Sequence, residues 1–173
     1  MDSADPVSIL ARTVWGEARG DGITGMRAVA AVVRNRVHNP RWWGHDYVSV
    51  CQAPWQFSCW NRGDPNFPKL LAASDSTPLF PEALDVAATC ISGVLVDATG
   101  GADSYYDCSM RCPPDWATSD RYTVTIGSQR FYRVELARPF GNISIHAPAA
   151  WCDGLSPADL LNQQELDALT ASH

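Results

Sequence analysis

Glu17 is the residue in this chain best suited to chemistry, because the helical period around it sets a carboxylate at the edge of an apolar stripe. In the run ARTVWGEARGDG, residues 11 to 22, and the turn before it, counting about 100° per residue puts Val7, Leu10, Ala11, Val14 and Ala18 on one helix face. On the same count Glu17 falls within about 20° of Leu10, so it borders the core. A carboxylate half withdrawn from water has its charged form disfavoured, and its pKa rises toward the range where it can donate a proton near neutral pH. That is the property of a general acid. The competing reading is an ion pair of Glu17 with Arg19, Arg12 or another arginine at the helix edge.

The elements that must hold this residue are legible at their ends. Asp5 can accept from the first-turn amides as N-cap, Pro6 suits the first helical position, and Gly20 and Gly22 supply the stop. Thr24 can cap a second helix, in which Met26, Val29, Ala30, Val33 and Val37 form an apolar stripe that ends at Asn39-Pro40. Residues 40 to 70 carry Trp42, Trp43, Trp55 and Trp60 among prolines, glycines and asparagines, with no period of 2 or 3.6, and read as one long structured loop. With Gln52, Gln56 and Asn61 beside them, these tryptophans suit a carbohydrate-binding wall of flat rings and amides. They equally suit a core packed around a disulfide. A third helix is expected from about Pro81 to Ser92. SYYDC, RYTVTIG and RFYRV read as short strands, the last two joined as a hairpin through Gly127-Ser128. A final amphipathic helix is expected after Ser156-Pro157, including Leu160, Leu161, Leu166 and Leu169. Helices first and a small antiparallel sheet later make an α+β arrangement.

At 173 residues the chain is expected to form a single domain. A hydrophobic content of 46% against 18% charged residues argues for a globular fold rather than disorder. The net charge of −6 gives no support to nucleic-acid binding or to an anionic membrane surface. No apolar run reaches transmembrane length, and MDSADPVSILART lacks the basic and apolar regions of a signal peptide. Cys51, Cys59, Cys90, Cys108, Cys112 and Cys152 are many for a cytosolic chain, and their even number leads us to expect disulfides. The cysteine spacings and the scattered histidines (His38, His45, His146, His173) do not form a zinc pattern, and no metal or other cofactor is expected.

Several motifs together resemble a known family. ARTVWGEARGDG, then GMRAVAAVVRNRV, then SVCQAPWQFSCWN with DPN, then PPDWA and IGSQRFYR occur in the order found in the cell-wall hydrolase family of the spore-cortex-lytic enzyme SleB, over roughly residues 6 to 135. The resemblance implies a lysozyme-like fold, a peptidoglycan glycan strand as substrate, and the glutamate of GEARG, here Glu17, as catalytic residue. It also places Gln56, Phe57, Tyr105 and Trp116 along the sugar groove. The chain departs from the family pattern at Gln129, where many relatives carry histidine, and at Ser104-Tyr105-Tyr106 in place of a THYH-like stretch, so a catalytic histidine is not expected. A bond between Cys51 and Cys59 would close the loop that holds Gln56.

Carboxylate accounting then separates two mechanisms. Hydrolysis needs a second carboxylate about 5 Å away for retention, or about 6.5 to 9.5 Å away for inversion. Asp21, one turn beyond Glu17, is the nearest in sequence and can otherwise bond to substrate. Lytic transglycosylation, which the resemblance also implies, needs one carboxylate only. Two other classes compete: a thiol peptidase using Cys59 with His146, and a non-catalytic glycan-binding module that keeps the tryptophans without needing Glu17. The chain is expected to act as a monomer, without nucleic acid or membrane insertion. With no recognisable signal peptide, the chain is expected to be made in the cytoplasm and to reach the wall by a phage-type release route, a trimmed bacterial enzyme being the alternative.

Overall fold

Helix α1 (Pro6–Ala18) begins as its sequence predicts, with Asp5 Oδ2 accepting from the Ser8 amide at 3.0 Å and Pro6 in the first turn. The computed structural model describes residues 5–136, so the helix expected after Ser156-Pro157 lies outside the described residues. A 3-10 turn at Arg19–Asp21 leads directly into α2 (Gly22–His38). The second helix therefore starts earlier than expected. Gly22, at a φ of 66° that glycine adopts without strain, makes the corner, and Thr24 lies inside the helix rather than capping it.

Residues 40 to 70 are not one loop. They contain α3 (Tyr47–Cys51), a 3-10 turn at Ser58–Trp60 and α4 (Phe67–Ala72). Pieces of five, three and six residues are too short for a helical period to show. The start of α3 is fixed by a reciprocal capping box between Asp46 and Ser49. Next come α5 (Phe80–Ile91) and three antiparallel strands, β1 (Ser104–Asp107), β2 (Tyr122–Ile126) and β3 (Gln129–Tyr132), in the order β1-β3-β2. The two-residue turn Gly127-Ser128 joins β2 to β3 as predicted, with Gly127 at a φ of 59°. None of the described helices is long and apolar enough to cross a membrane.

The α2 helix is buried on two sides. Met26, Val29, Ala30 and Val33 pack into a cluster with Leu10, Val14 and Ala18 of α1 and Ala83, Val86 and Ala87 of α5. Ala28 and Val32, on another face, meet Phe131 of β3 and Ala102. Strand alternation sorts the sheet accordingly. Tyr105 and Phe131, paired across β1 and β3, face the helices, while Tyr106 and Arg130, the next pair, face away. The outward rings Tyr106 and Tyr132 are covered by Trp116. Of the tryptophans in residues 40 to 70, Trp43 is core, with its indole N–H donated to the Arg36 carbonyl at 3.0 Å. Trp60 is tethered by its N–H to Thr13 Oγ1 at 2.9 Å, and Trp42 is exposed.

The expected disulfides are not formed among the described residues. Cys51, Cys59 and Cys90 are buried free thiols, Cys108 is an exposed one, and Cys112 is exposed. Cys51 closes α3 inside the main core and Cys59 packs against α1 at Gly16, so each serves as a small apolar group. The segment that a Cys51–Cys59 bond was expected to fix is instead tied to α1 by Trp60 and to α2 by Gln56.

A Cβ added at Gly16 would lie 2.8 Å from Cys59 Cβ, 2.9 Å from its Sγ and 3.0 Å from Leu70 Cδ1. Gly20 has nothing within 4 Å. Gly16→Ala is therefore expected to lose about 1 to 3 kcal/mol by overpacking, while Gly20→Ala holds stability or gains up to about 1 kcal/mol. Urea unfolding of both variants checks this; equal behaviour would show that the close packing on Gly16 is not what holds this face together.

Candidate active site

Glu17 sits in the last turn of α1, half-buried, and two elements remote in sequence close on its carboxylate. The absence of a side chain at Gly16 lets the Ser58–Trp60 turn approach, so that the Cys59 backbone N–H donates to Glu17 Oε1 at 3.2 Å. From the sheet, the Tyr105 hydroxyl donates to Oε2 at 3.1 Å. Burial pushes the Glu17 pKa up. The Cys59 N–H and thiol and the Tyr105 hydroxyl pull it back, and the negative charge of Asp64 adds to the rise, leaving it above the ordinary glutamate value. The Tyr105 hydroxyl is held neutral, its own pKa raised by burial and by the Glu17 charge.

Neither flanking arginine pairs with Glu17. Arg12 donates to the Leu70 and Leu71 carbonyls and lies over the Phe80 ring. Arg19 donates to the Gly16 carbonyl at 2.9 Å and to Asn66 Oδ1 at 2.9 Å, with its guanidinium 4.5 Å from the Trp15 ring centre. Among the described residues the ion pairs within 4.0 Å are Arg41–Glu135 and His45–Asp46. Glu17 is thus a desolvated carboxylate held by neutral donors, and the ion-pair reading does not describe it.

The other predicted site residues divide. Tyr105 meets Glu17 directly. Gln56 is half-buried and its Oε1 accepts from Arg36 Nη1 at 3.3 Å. Phe57, at 1% exposure, has no surface to offer a sugar; its ring centre lies 5.4 Å from the Arg36 guanidinium, so it is a support rather than a contact. Asp21 has both carboxylate oxygens engaged by the β2–β3 turn, accepting from Ser128 N and from Ser128 Oγ, each at 2.9 Å. A Cβ at Gly127 would lie 2.5 Å from the same carboxylate. Asp21 therefore anchors the hairpin to the α1–α2 corner. Trp116 stacks edge-on with Tyr106 and Tyr132 on the sheet face that looks away from Tyr105. Gln129 is buried on the inward face of β3 with Nε2 3.5 Å from the Glu17 carbonyl and Oε1 without a hydrogen-bond partner among the described residues; a neutral amide there cannot shuttle protons.

Three residues near Glu17 were not assigned to its site by the sequence reading. Arg36, 6% exposed, donates from Nε to the Asp103 carbonyl at 2.7 Å and lies over Trp43 and Phe57. Its signal was available: seven residues after Val29, it is a charge on an apolar stripe, the same anomaly that marks Glu17. Asp64, in the DPN motif, accepts from the Asn66 amide at 2.7 Å, and its charge bears on Glu17. Cys59 had been read as half of a disulfide and, in the peptidase alternative, as a nucleophile. Burial raises its thiol pKa far above the ordinary range, which leaves it unsuited to act as a nucleophile; His146, its expected partner, lies outside the described residues.

Comparison with known proteins adds three findings. A family model described as Cell Wall Hydrolase matches residues 20–132, a span that begins just after Glu17. No curated protein sequence matches the chain. Among solved structures, the catalytic domain of the germination-specific lytic transglycosylase SleB from Bacillus anthracis is similar at 24% identity and a TM-score of 0.57, over 76% of this chain and 96% of that one. The catalytic domain of the Bacillus cereus SleB protein is similar at 24% identity and a TM-score of 0.58, over 76% of this chain and 92% of that one. The α+β architecture with its small antiparallel sheet is accordingly the lysozyme-like fold of those domains, and with the family model matching more than half of its length, the chain belongs to the cell wall hydrolase family.

Proposed function

We propose that this protein cleaves the β-1,4 bond between N-acetylmuramic acid and N-acetylglucosamine in peptidoglycan as a lytic transglycosylase, with Glu17 as its single proton-transfer group. The observation that carries the reading is a carboxylate of raised pKa, held by a backbone N–H and a phenol and paired with no cation. Membership of the cell wall hydrolase family and the fold shared with a lytic transglycosylase domain support the substrate class. In this mechanism protonated Glu17 gives its proton to the glycosidic oxygen as the bond to C1 breaks. The muramic 6-hydroxyl then attacks C1 while Glu17 takes the hydroxyl proton back, leaving a 1,6-anhydro end. The Cys59 and Tyr105 donors stabilise the carboxylate in the interval between the two transfers.

Ordinary hydrolysis is the second reading, and here the structure changes the partner under consideration. Both oxygens of Asp21 are occupied by Ser128, whereas Asp64 is the carboxylate whose charge reaches Glu17. Mass spectrometry of muropeptide products separates the readings, because anhydro and reducing ends differ by one water. Reducing ends only, with Asp64→Asn as damaging as Glu17→Gln, would replace transglycosylation by a two-carboxylate hydrolase.

Glu17→Gln is expected to reduce glycan cleavage by at least about 100-fold, as loss of a general acid–base group requires, measured as turbidity clearing of purified cell walls. Near-native activity in the folded variant would remove Glu17 from the mechanism.

The same substitution has a pH signature in stability. Because the folded-state pKa of Glu17 is raised, the folded protein binds more protons than the unfolded chain between the ordinary value of about 4.3 and the raised one. Stability falls as pH rises through that window. Glu17→Gln should therefore melt above wild type at neutral pH, with the difference shrinking below pH about 4. A difference independent of pH would mean that Glu17 is not desolvated.

Asp21→Asn is expected to act on stability more than on chemistry. Losing charge-assisted bonds to Ser128 should lower stability by about 1 to 3 kcal/mol, with a far smaller loss of turnover than Glu17→Gln, both read on one sample.

A further inference from the structure

The sheet has a second polar site, on the face that Glu17 does not share. Tyr106, Tyr122, Tyr132, Thr125, Arg130 and Ala117 line a cavity of about 490 Å³. Among the described residues Arg130 is the only charged one lining it and makes no ion pair. Its Nη1 donates to the Tyr106 hydroxyl at 3.3 Å, and the Tyr106 ring stacks on Tyr132 with centres 5.7 Å apart. Tyr106 and Tyr132 are themselves almost fully buried, which fixes the floor, whereas Tyr122 exposes its ring at one wall. Trp116 meets both floor rings edge-on, which gives the PPDWA motif a place in this site rather than beside Glu17.

We propose that this cavity binds a carboxylate of the peptide stem carried by the glycan strand. A guanidinium without an acidic partner among the described residues, with phenol hydroxyls beside it, is complementary to a carboxylate, and the overall charge of −6 makes a cationic pocket a specific rather than a general anion attractor. The connection to Glu17 is short. β1 is an edge strand, and its adjacent residues Tyr105 and Tyr106 point to opposite faces, one to the Glu17 carboxylate and the other to the cavity. A stem of three to five residues spans roughly 10 to 17 Å when extended, against a strand spacing of about 4.8 Å, so it can pass round the β1 edge from one face to the other. The site would thus read the peptide while Glu17 acts on the sugar to which it is attached, and the inference rests on the proposed peptidoglycan substrate.

Cleavage of stem-bearing glycan and of glycan stripped of its stems, compared on wild type and Arg130→Gln, tests it. The ratio of kcat/KM for the two substrates should fall about tenfold in Arg130→Gln, the effect of losing one charge-assisted contact, and recover in part in Arg130→Lys. An unchanged ratio, or equal losses on both substrates, overturns the proposal. Binding of the free stem peptide, followed by NMR shifts of the Tyr122 and Tyr132 rings, is independent of turnover. Shifts in wild type that vanish in Arg130→Gln support the site even if neither glycan is cleaved, in which case the proposed function fails alone; absence of shifts in wild type overturns the site.

Discussion

The approach of the Ser58–Trp60 turn to Gly16 is the contact on which the site depends. It removes water from Glu17, supplies the Cys59 N–H that holds one carboxylate oxygen, and brings Asp64 within electrostatic reach. Desolvation outweighs the donors, so the carboxyl is held proton-rich without a like-charged partner in contact. A side chain at position 16 would push the turn away and return Glu17 to water. The motif Gly-Glu is thus one device: the glycine creates the environment that gives the glutamate its chemistry.

Everything else fixes the orientation of that device. The α2 helix, buried on two sides, sets α1 and the sheet at a constant spacing, and two polar tethers cross the same gap. At one end Asp21 clasps the Ser128 turn; at the other Arg36 joins the Asp103 carbonyl to Gln56. Asp103 itself, fully buried, accepts from Val134, Ser104 and Leu136 and so ties the start of β1 to the chain that follows β3. Tyr105 reaches Glu17 only because these ties hold β1 in register.

The sheet divides labour by its alternation. Inward residues Tyr105, Gln129 and Phe131 serve Glu17 and the core, while outward residues Tyr106, Arg130 and Tyr132 build a separate polar pocket. A slip of one residue in register would exchange the two sets and destroy both sites at once. The Gly127 turn packed on Asp21 guards against that slip.

Local pattern alone determined the three long helices, the hairpin and the anomaly at Glu17, because apolar periods and cap residues act over a single turn or pair of strands. The family resemblance also pointed to Tyr105, which the fold sets against Glu17, and to Gln56, which it ties to Arg36. What failed depended on distance through space. Six cysteines suggested disulfides, yet the packing uses the described buried ones as small apolar groups; Phe57 and Trp116 had suitable rings, yet burial took the first and sheet alternation turned the second away. Asp21 stood nearest to Glu17 in sequence, yet the hairpin claimed both of its oxygens. Whether Glu17 met an arginine, a phenol or water was a question about which remote segments close on it, and only the tertiary structure decided that, because desolvation is a property of surroundings that the chain assembles from residues as much as 112 positions apart.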